Sequence, residues 1–326
     1  MIYGPKGRFG PPPFRLGSGE QSSCDLARQL ITCVPQGTPI DQFDALATGV
    51  REDAPWLPQR GRTAPVTPTR KGERVRVYVI HPDDETGFAG GTLRKLTDAG
   101  HPVDIGILSH GEGGRLLERD AEGGVVERRD LPAFHVVCVR DAEAQAAAQT
   151  LNASMDYLFA PNAGLDFGFT HSTAQTLRTW NDELPGGVSE ILRRLVGDLR
   201  ARKPDLVMTS DPEDDPMGSG HGHHAALGVL VDLAVRLAAD TSVGEGAPHA
   251  VGSIATFAPA RGPWDVEVQV NPEDRLSGAR AYPSQFTPEV LAQDPFWSRP
   301  TERFRERLST PGPEGTARKS PLGRLR

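Results

Sequence analysis

Short apolar runs rich in β-branched residues alternate along the chain with longer stretches of helical periodicity. Val75, Val77, Val79 and Ile80 form the first run, over residues 75–80. Its composition predicts a buried strand of a parallel sheet. A helical pattern follows over residues 90–99 and stops at Gly100, a residue type suited to helix C-termini. Residues 103–108 form the next strand, and a charged loop continues to about Asp130. An alanine-rich helix is expected over 137–151 and a short strand over 157–159. In residues 188–201, Ile191, Leu192, Leu195, Val196 and Leu199 recur at helical spacing, and Pro204 ends the pattern. A strand over 206–209 leads through a polar loop to a helix over 225–239. That helix is apolar on nearly all sides and is therefore expected to be buried. Further on, 252–257 and 266–270 read as strands and 288–292 as a short helix.

Strand, helix, strand, helix with tight connections predicts an α/β fold. The sheet is Rossmann-like and mostly parallel, with helices on both faces and the chemistry at the carboxyl ends of its strands. Residues 1–70 differ. They hold ten of the 29 prolines, Pro11, Pro12 and Pro13 among them, and one helical stretch, 25–32. Proline removes backbone donors and fixes φ, which opposes regular structure. This part reads as an irregular extension, either draped over the domain through Phe9, Phe14, Phe43 and Trp56 or disordered. The expected division is an extension over 1–70, a catalytic domain over 71–310 and a basic tail over 311–326.

Composition narrows the classes. Of 326 residues, 37% are hydrophobic and 24% charged, enough for a sizeable core. A net charge of −7 argues against a nucleic-acid or anionic-membrane partner. Cys24, Cys33 and Cys138 include no Cys-x-x-Cys pair, so neither a zinc ribbon nor a disulfide scaffold is expected. No apolar stretch approaches the ~20 residues of a membrane span. The first residues lack the apolar core of a signal peptide, and a cytoplasmic location is expected. The oligomeric state has no readable cue.

Two polar clusters end apolar strands. The first is His81-Pro82-Asp83-Asp84-Glu85, the second His221-Gly222-His223-His224. His81 and Asp84 stand three apart on a turn, so both side chains reach one point. His221 and His224 stand three apart at a helix start, on one face. A parallel sheet brings both clusters to the same edge. Either alone suits a solvated turn or a cap; together they point to a metal site. A catalytic zinc takes three such ligands, and it brings the pKa of a coordinated water to about 7 and polarises a carbonyl, which suits amide hydrolysis. A dinucleotide oxidoreductase is not supported, because acids rather than Gly-x-Gly-x-x-Gly follow the first strand.

These clusters, with Gly90-Gly91-Thr92-Leu93, Gly111-Glu112-Gly113-Gly114-Arg115, Arg140-x-x-Glu143 and Tyr282-Pro283-Ser284-Gln285-Phe286, resemble the PIG-L/LmbE-like family of zinc-dependent N-deacetylases over roughly residues 74–290. The resemblance implies a metal, zinc or another divalent cation such as Fe2+, held by His81, Asp84 and His224. It implies Asp83 as general base and His221, protonated, as partner of the oxyanion or leaving amine. Either Asp83 or His221 then protonates the amine. The implied substrate is a small N-acylated amino sugar or glycoconjugate; the competing reading is a non-catalytic carbohydrate-binding protein on a decayed scaffold. The family usually carries His-Pro-Asp-His where this chain has His-Gly-His-His, so His223 is an added imidazole, expected behind the ligands or facing solvent. Asp211, Asp214 and Asp215 include a candidate to orient His221. Arg140 and Glu143 are expected to form a structural ion pair on one helix, Glu85 to support its turn or line the pocket, His110 and His171 to border the cleft, and Arg115 to contact a sugar hydroxyl or an anionic group or to lie on a surface loop.

Overall fold

In the computed structural model, which describes residues 72–243, 247–308 and 322, successive side chains of β1 (Val75–Val79) feed two separate cores. Val75, Val77 and Val79 pack with Phe88, Ala89, Leu93 and Leu96 of α1 (Asp84–Asp98) and with Ala144 and Ala147 of α2 (Ala133–Thr150). Tyr78 and Ile80 face the other way. They meet Leu177 and Trp180 of α3 (Thr173–Glu183), Ile191 and Leu195 of α4 (Gly187–Arg202), and Leu227 and Leu230 of α5 (Gly222–Ala239). A strand buried on both faces needs apolar residues at nearly every position, which is why β1 reads as a continuous run. Arg76 interrupts that run yet is 1% exposed, because Asp198 and Asp156 take its guanidinium at 2.8 and 2.7 Å.

The sheet has seven strands in the order β5-β2-β1-β6-β7-β9-β8. Here β2 is Val103–Ile107, β5 Ser154–Tyr157, β6 Leu206–Ser210, β7 Ser253–Phe257, β8 Val266–Gln269 and β9 Thr301–Leu308. The pairs from β5 to β7 are parallel, and β9 runs antiparallel to β7 and β8. A mostly parallel, doubly wound sheet was the expected class, and this is one. After β5 the chain crosses to the far side of β1 to lay down β6. The order therefore reverses between β1 and β6, the crevice where such sheets place their ligands. Both polar clusters follow these two strands.

Several elements differ from the sequence expectation. The first helix begins at Asp84, not residue 90, because Gly87, Gly90 and Gly91 mask its first turns by lowering local propensity. Gly91 serves packing instead: a Cβ there would lie 2.7 Å from that of Val270. The charged loop contains a hairpin, β3 (Leu116–Arg119) with β4 (Val125–Arg128), in which Leu116 alone is buried, too little for a core signal. Helix α3 has only Thr176, Leu177 and Trp180 buried, too few for a clear period, although Ser172 caps it by accepting from the Gln175 amide. Helix α6 (Pro272–Ala279) and strand β9 were likewise not anticipated; α7 (Pro288–Gln293) was. Among the described residues, α5 alone is long and apolar enough to cross a membrane, and 78% of it is buried within the fold. The helix expected over 25–32, the four anchoring aromatics, Cys24 and Cys33 lie outside the described residues, as does the tail except Leu322. Cys138 is an exposed free thiol.

Strand β9 ties the layers together through charge. Arg275 of α6 meets Glu302 at 2.8 Å, both side chains 2% exposed. Glu302 also accepts from the amides of Gly91 and Thr92 at 3.0 and 2.7 Å. Arg275→Met would leave that carboxylate buried without its cation. A loss of about 3 kcal/mol is expected in urea denaturation, since breaking a buried pair leaves an uncompensated charge. An unchanged midpoint would contradict this account.

Candidate metal centre

The turn after β1 is built around one strained residue. Asp83 has φ 107° and ψ −27°, a left-handed conformation that is unusual for a residue with a Cβ. It turns the chain sharply, so that α1 starts at Asp84 with that side chain directed back at His81. Asp84 Oδ2 accepts from the His81 amide at 3.0 Å. Glu85 braces the turn from below: it accepts from the Asp83 amide at 3.1 Å and from the Tyr282 hydroxyl at 2.7 Å. Burial pushes the Glu85 carboxyl up to about 7. Glu85 thus supports the turn as expected, and the late motif beginning at Tyr282 acts as its prop.

The second cluster opens α5. His221 is the N-cap, its Nδ1 accepting from the His223 amide at 3.4 Å. His223 and His224 lie in the first turn and are buried. The two clusters converge. His81 Nδ1 lies 3.5 Å from Asp84 Oδ2, and His224 Nε2 lies 3.2 Å from Asp84 Oδ1. Ligating atoms of His81, Asp84 and His224 all fall within 4.8 Å of one another. Ligands at ~2.1 Å from a tetrahedral zinc stand about 3.4 Å apart, and each imidazole comes that near to one of the two Asp84 oxygens. A second group, His81, His221 and His223, meets the same distance limit but has no carboxylate to balance a cation's charge.

Electrostatics supports the first set. Burial by itself would raise Asp84, but His224 and His81 hold it well below the usual carboxylate range. Burial disfavours a charged His224, yet Asp84 and Asp215 outweigh that and bring it up to about 10. A cluster that attracts a proton this strongly is equally a seat for a cation. Asp215 meets His224 Nδ1 at 3.1 Å, the carboxylate–imidazole arrangement that orients metal-binding histidines. Asp215 is fixed in turn: its Oδ1 accepts from the Met217 and Ser219 amides at 2.9 and 3.2 Å, and its Oδ2 accepts from the Ser219 hydroxyl. The acidic loop thus supplies an orienting carboxylate, for His224 rather than for His221. Asp211 instead anchors the loop, with Arg305 at 3.1 Å and the Thr256 hydroxyl donating at 2.6 Å.

Asp83 flanks the cluster. Its Oδ2 meets Arg140 at 3.0 Å, and the same guanidinium donates to the Pro82 carbonyl. Burial pushes Asp83 up to about 6 against the downward pull of Arg140. The expected Arg140–Glu143 pairing is replaced by a division of labour. Arg140 is directed at Asp83, and Glu143 accepts from the Ser284 amide and hydroxyl at 2.8 and 2.6 Å. Gly111 makes room for this: its φ is +71°, and a Cβ would lie 2.9 Å from the Arg140 side chain.

Burial, then His81 and His224, lower His221 to about 3, a direction opposed to the expected protonated form. With Nδ1 accepting from the His223 amide, Nε2 is the nitrogen left to donate. His223 is 0% exposed, which rules out the solvent-facing position; its Nδ1 lies 3.2 Å from His81 Nε2. His110 is buried between Asp141, at 2.7 Å, and the Phe159 carbonyl, at 3.0 Å. Arg115 is half-exposed and pairs with Glu127 at 3.3 Å. His171 is on the surface against Phe169, whose ring also lies 4.5 Å from His221. Phe167 and Phe169 had drawn no attention in the sequence, where two phenylalanines in a glycine-containing loop resemble stray core residues.

Known proteins resemble the chain over the segment that carries both clusters. Residues 77–235 match the family PIG-L, GlcNAc-PI de-N-acetylase. The chain is 29% identical over 181 residues to a 1D-myo-inositol 2-acetamido-2-deoxy-alpha-D-glucopyranoside deacetylase of Segniliparus rotundus, covering 55% of each protein. It is 30% identical over 182 residues to the protein of that name from Rhodococcus erythropolis, covering 54% of this chain and 58% of the relative. It therefore spans little more than half the length of these curated relatives. N,N'-diacetylchitobiose deacetylase from Pyrococcus horikoshii, solved with its inhibitor MPG, has the same fold, with a TM-score of 0.56 and 21% identity over 83% of this chain and 94% of that one. The paired clusters at the switch point fall within the matched segment: residues 77–235 are similar to the PIG-L family, GlcNAc-PI de-N-acetylase.

Proposed function

We propose that the chain hydrolyses an N-acyl amide, most simply an N-acetyl group, on an amino-sugar-containing small molecule or glycoconjugate. The catalytic unit is assigned to residues 71–310, and the metal, zinc or another divalent cation such as Fe2+, to His81, Asp84 and His224. One observation carries the reading: the Asp84 carboxylate lies between His81 and His224, 3.5 and 3.2 Å away, with Asp83 beside it. The names of the curated relatives support the amide and the acetylated sugar as substrate.

When bound, such a cation supplies an acidified water and a Lewis acid for the acyl carbonyl. The chain's own residues supply the rest. Asp83, poised near 6 by burial, accepts the proton of the attacking water and returns it to the departing amine. Arg140 fixes the direction of that carboxylate. His221, neutral with its proton on Nε2, donates a hydrogen bond to the developing oxyanion, where a preorganised donor is worth most. Asp215 holds His224 in its ligating tautomer. Asp215→Asn is accordingly expected to weaken zinc binding about 10–100-fold, as loss of an outer partner typically does. Competition with a chromophoric chelator measures this, and an unchanged affinity would remove Asp215 from the scheme.

The direct test is an amine-release screen over N-acetylated amino sugars with zinc added to the purified chain. Stoichiometric release of free amine is expected from at least one of them. A chain that binds no divalent cation would overturn the reading. So would tight sugar binding without amine release, which would mark a carbohydrate-binding protein.

A further inference from the structure

We propose that His223 is a positioning residue for His81, holding it in the tautomer whose Nδ1 lone pair faces Asp84. The inference rests on the assignment of His81, Asp84 and His224 as the metal seat. It concerns one of the two positions, with Gly222, at which the chain departs from the His-Pro-Asp-His pattern of the family it resembles.

His81 turns its two ring nitrogens to different neighbours. Nδ1 lies 3.5 Å from Asp84 Oδ2, within the ligand cluster, and Nε2 lies 3.2 Å from Nδ1 of His223. A neutral imidazole carries one proton, on one nitrogen only. Ligation through Nδ1 therefore puts the proton on Nε2, where it needs an acceptor, and His223 Nδ1 is placed to be one. His223 must then carry its own proton on Nε2. The opposite pairing, with His223 donating, would put the His81 proton on Nδ1 and block the metal.

The surroundings of His223 suit a neutral acceptor. Its ring is 0% exposed and packs against Phe167 at 4.5 Å and Trp180 at 5.6 Å. The Trp180 indole already donates to the Leu165 carbonyl at 2.7 Å, so it fixes the wall without competing for His223. Nε2 of His223 has no hydrogen-bond partner. A buried donor left unpaired costs about 1–3 kcal/mol, which a purely structural core would avoid by placing an apolar residue here. The main-chain amide of His223 meanwhile donates to His221 Nδ1. One residue thus governs the proton placement of two imidazoles, by its side chain at His81 and by its backbone at His221.

The test compares zinc affinity of the wild-type chain with His223→Leu and His223→Gln, by chelator competition, alongside the thermal midpoints of the metal-free proteins. The Leu variant is expected to bind zinc about 10–100-fold more weakly, and the Gln variant, whose amide oxygen can still accept, to recover most of that loss. Leu binding as tightly as wild type would overturn the inference, as would Gln binding as weakly as Leu at equal midpoints. Should both variants unfold, long-range proton–nitrogen spectra of the zinc-loaded wild type decide: Nε2 of His81 protonated is expected, and Nε2 ligated to zinc overturns it. A wild-type chain that binds no zinc would sink the metal assignment itself, a separate result.

Discussion

Asp83→Asn is expected to lower amide hydrolysis by about 10²–10⁴-fold, the usual contribution of a positioned proton-transfer group, while zinc stoichiometry stays unchanged. The side chain keeps its shape but loses the ability to accept a proton. Asp83 lies outside the ligand trio, and its carboxylate is engaged by Arg140 at 3.0 Å. The substitution therefore separates chemistry from metal binding. The measurement pairs kcat on an amine-releasing substrate with zinc content of the same preparation. Full activity in the Asn variant would remove the proposed base. Loss of zinc together with activity would show that Asp83 serves the seat rather than the proton.

Asp84→Ala should have the opposite signature: no stoichiometric zinc and no activity. Asp84 is the anion among the three proposed ligands, and it faces both imidazoles, at 3.5 and 3.2 Å. Removing it takes away one ligand and leaves His81 and His224 without the carboxylate between them. The expected loss of zinc affinity exceeds the ~10–100-fold of an outer partner such as Asp215. Restored activity at millimolar zinc would be compatible with a weakened seat. Unchanged affinity at trace zinc would refute the assignment, and the alternative trio of His81, His221 and His223 would then be the next to examine.

The sequence disclosed the site's ends better than its supports. His81, Asp84, His221 and His224 were legible because each cluster terminates an apolar run, and a parallel sheet leaves few places for two such ends. Their partners were not. Asp215 looked like Asp211 and Asp214, since three acids in one loop differ only in how that loop folds. Arg140 was matched with Glu143 by helical spacing, but the helix presents both to other elements, to Asp83 and to Ser284. The downward shift of His221 comes from burial and from His81 and His224, none of which spacing reports. The same divide runs through the fold. Buried strands and α5 announced themselves by composition. The hairpin β3–β4 and strand β9 are rich in charge, and β9 pairs with strands distant along the chain.

Strand β9 has a consequence for how the protein is made. It is synthesised after both polar clusters, yet it tethers the helix that follows one and the loop that precedes the other. Glu302 secures the amides of α1, and Arg305 secures Asp211 at the root of the acidic loop. A nascent chain still short of β9 would have its sheet from β5 to β7 in hand, and its ligand turns would still lack these tethers. A cation entering the proposed seat of the finished chain would meet turns that β9 has already tethered.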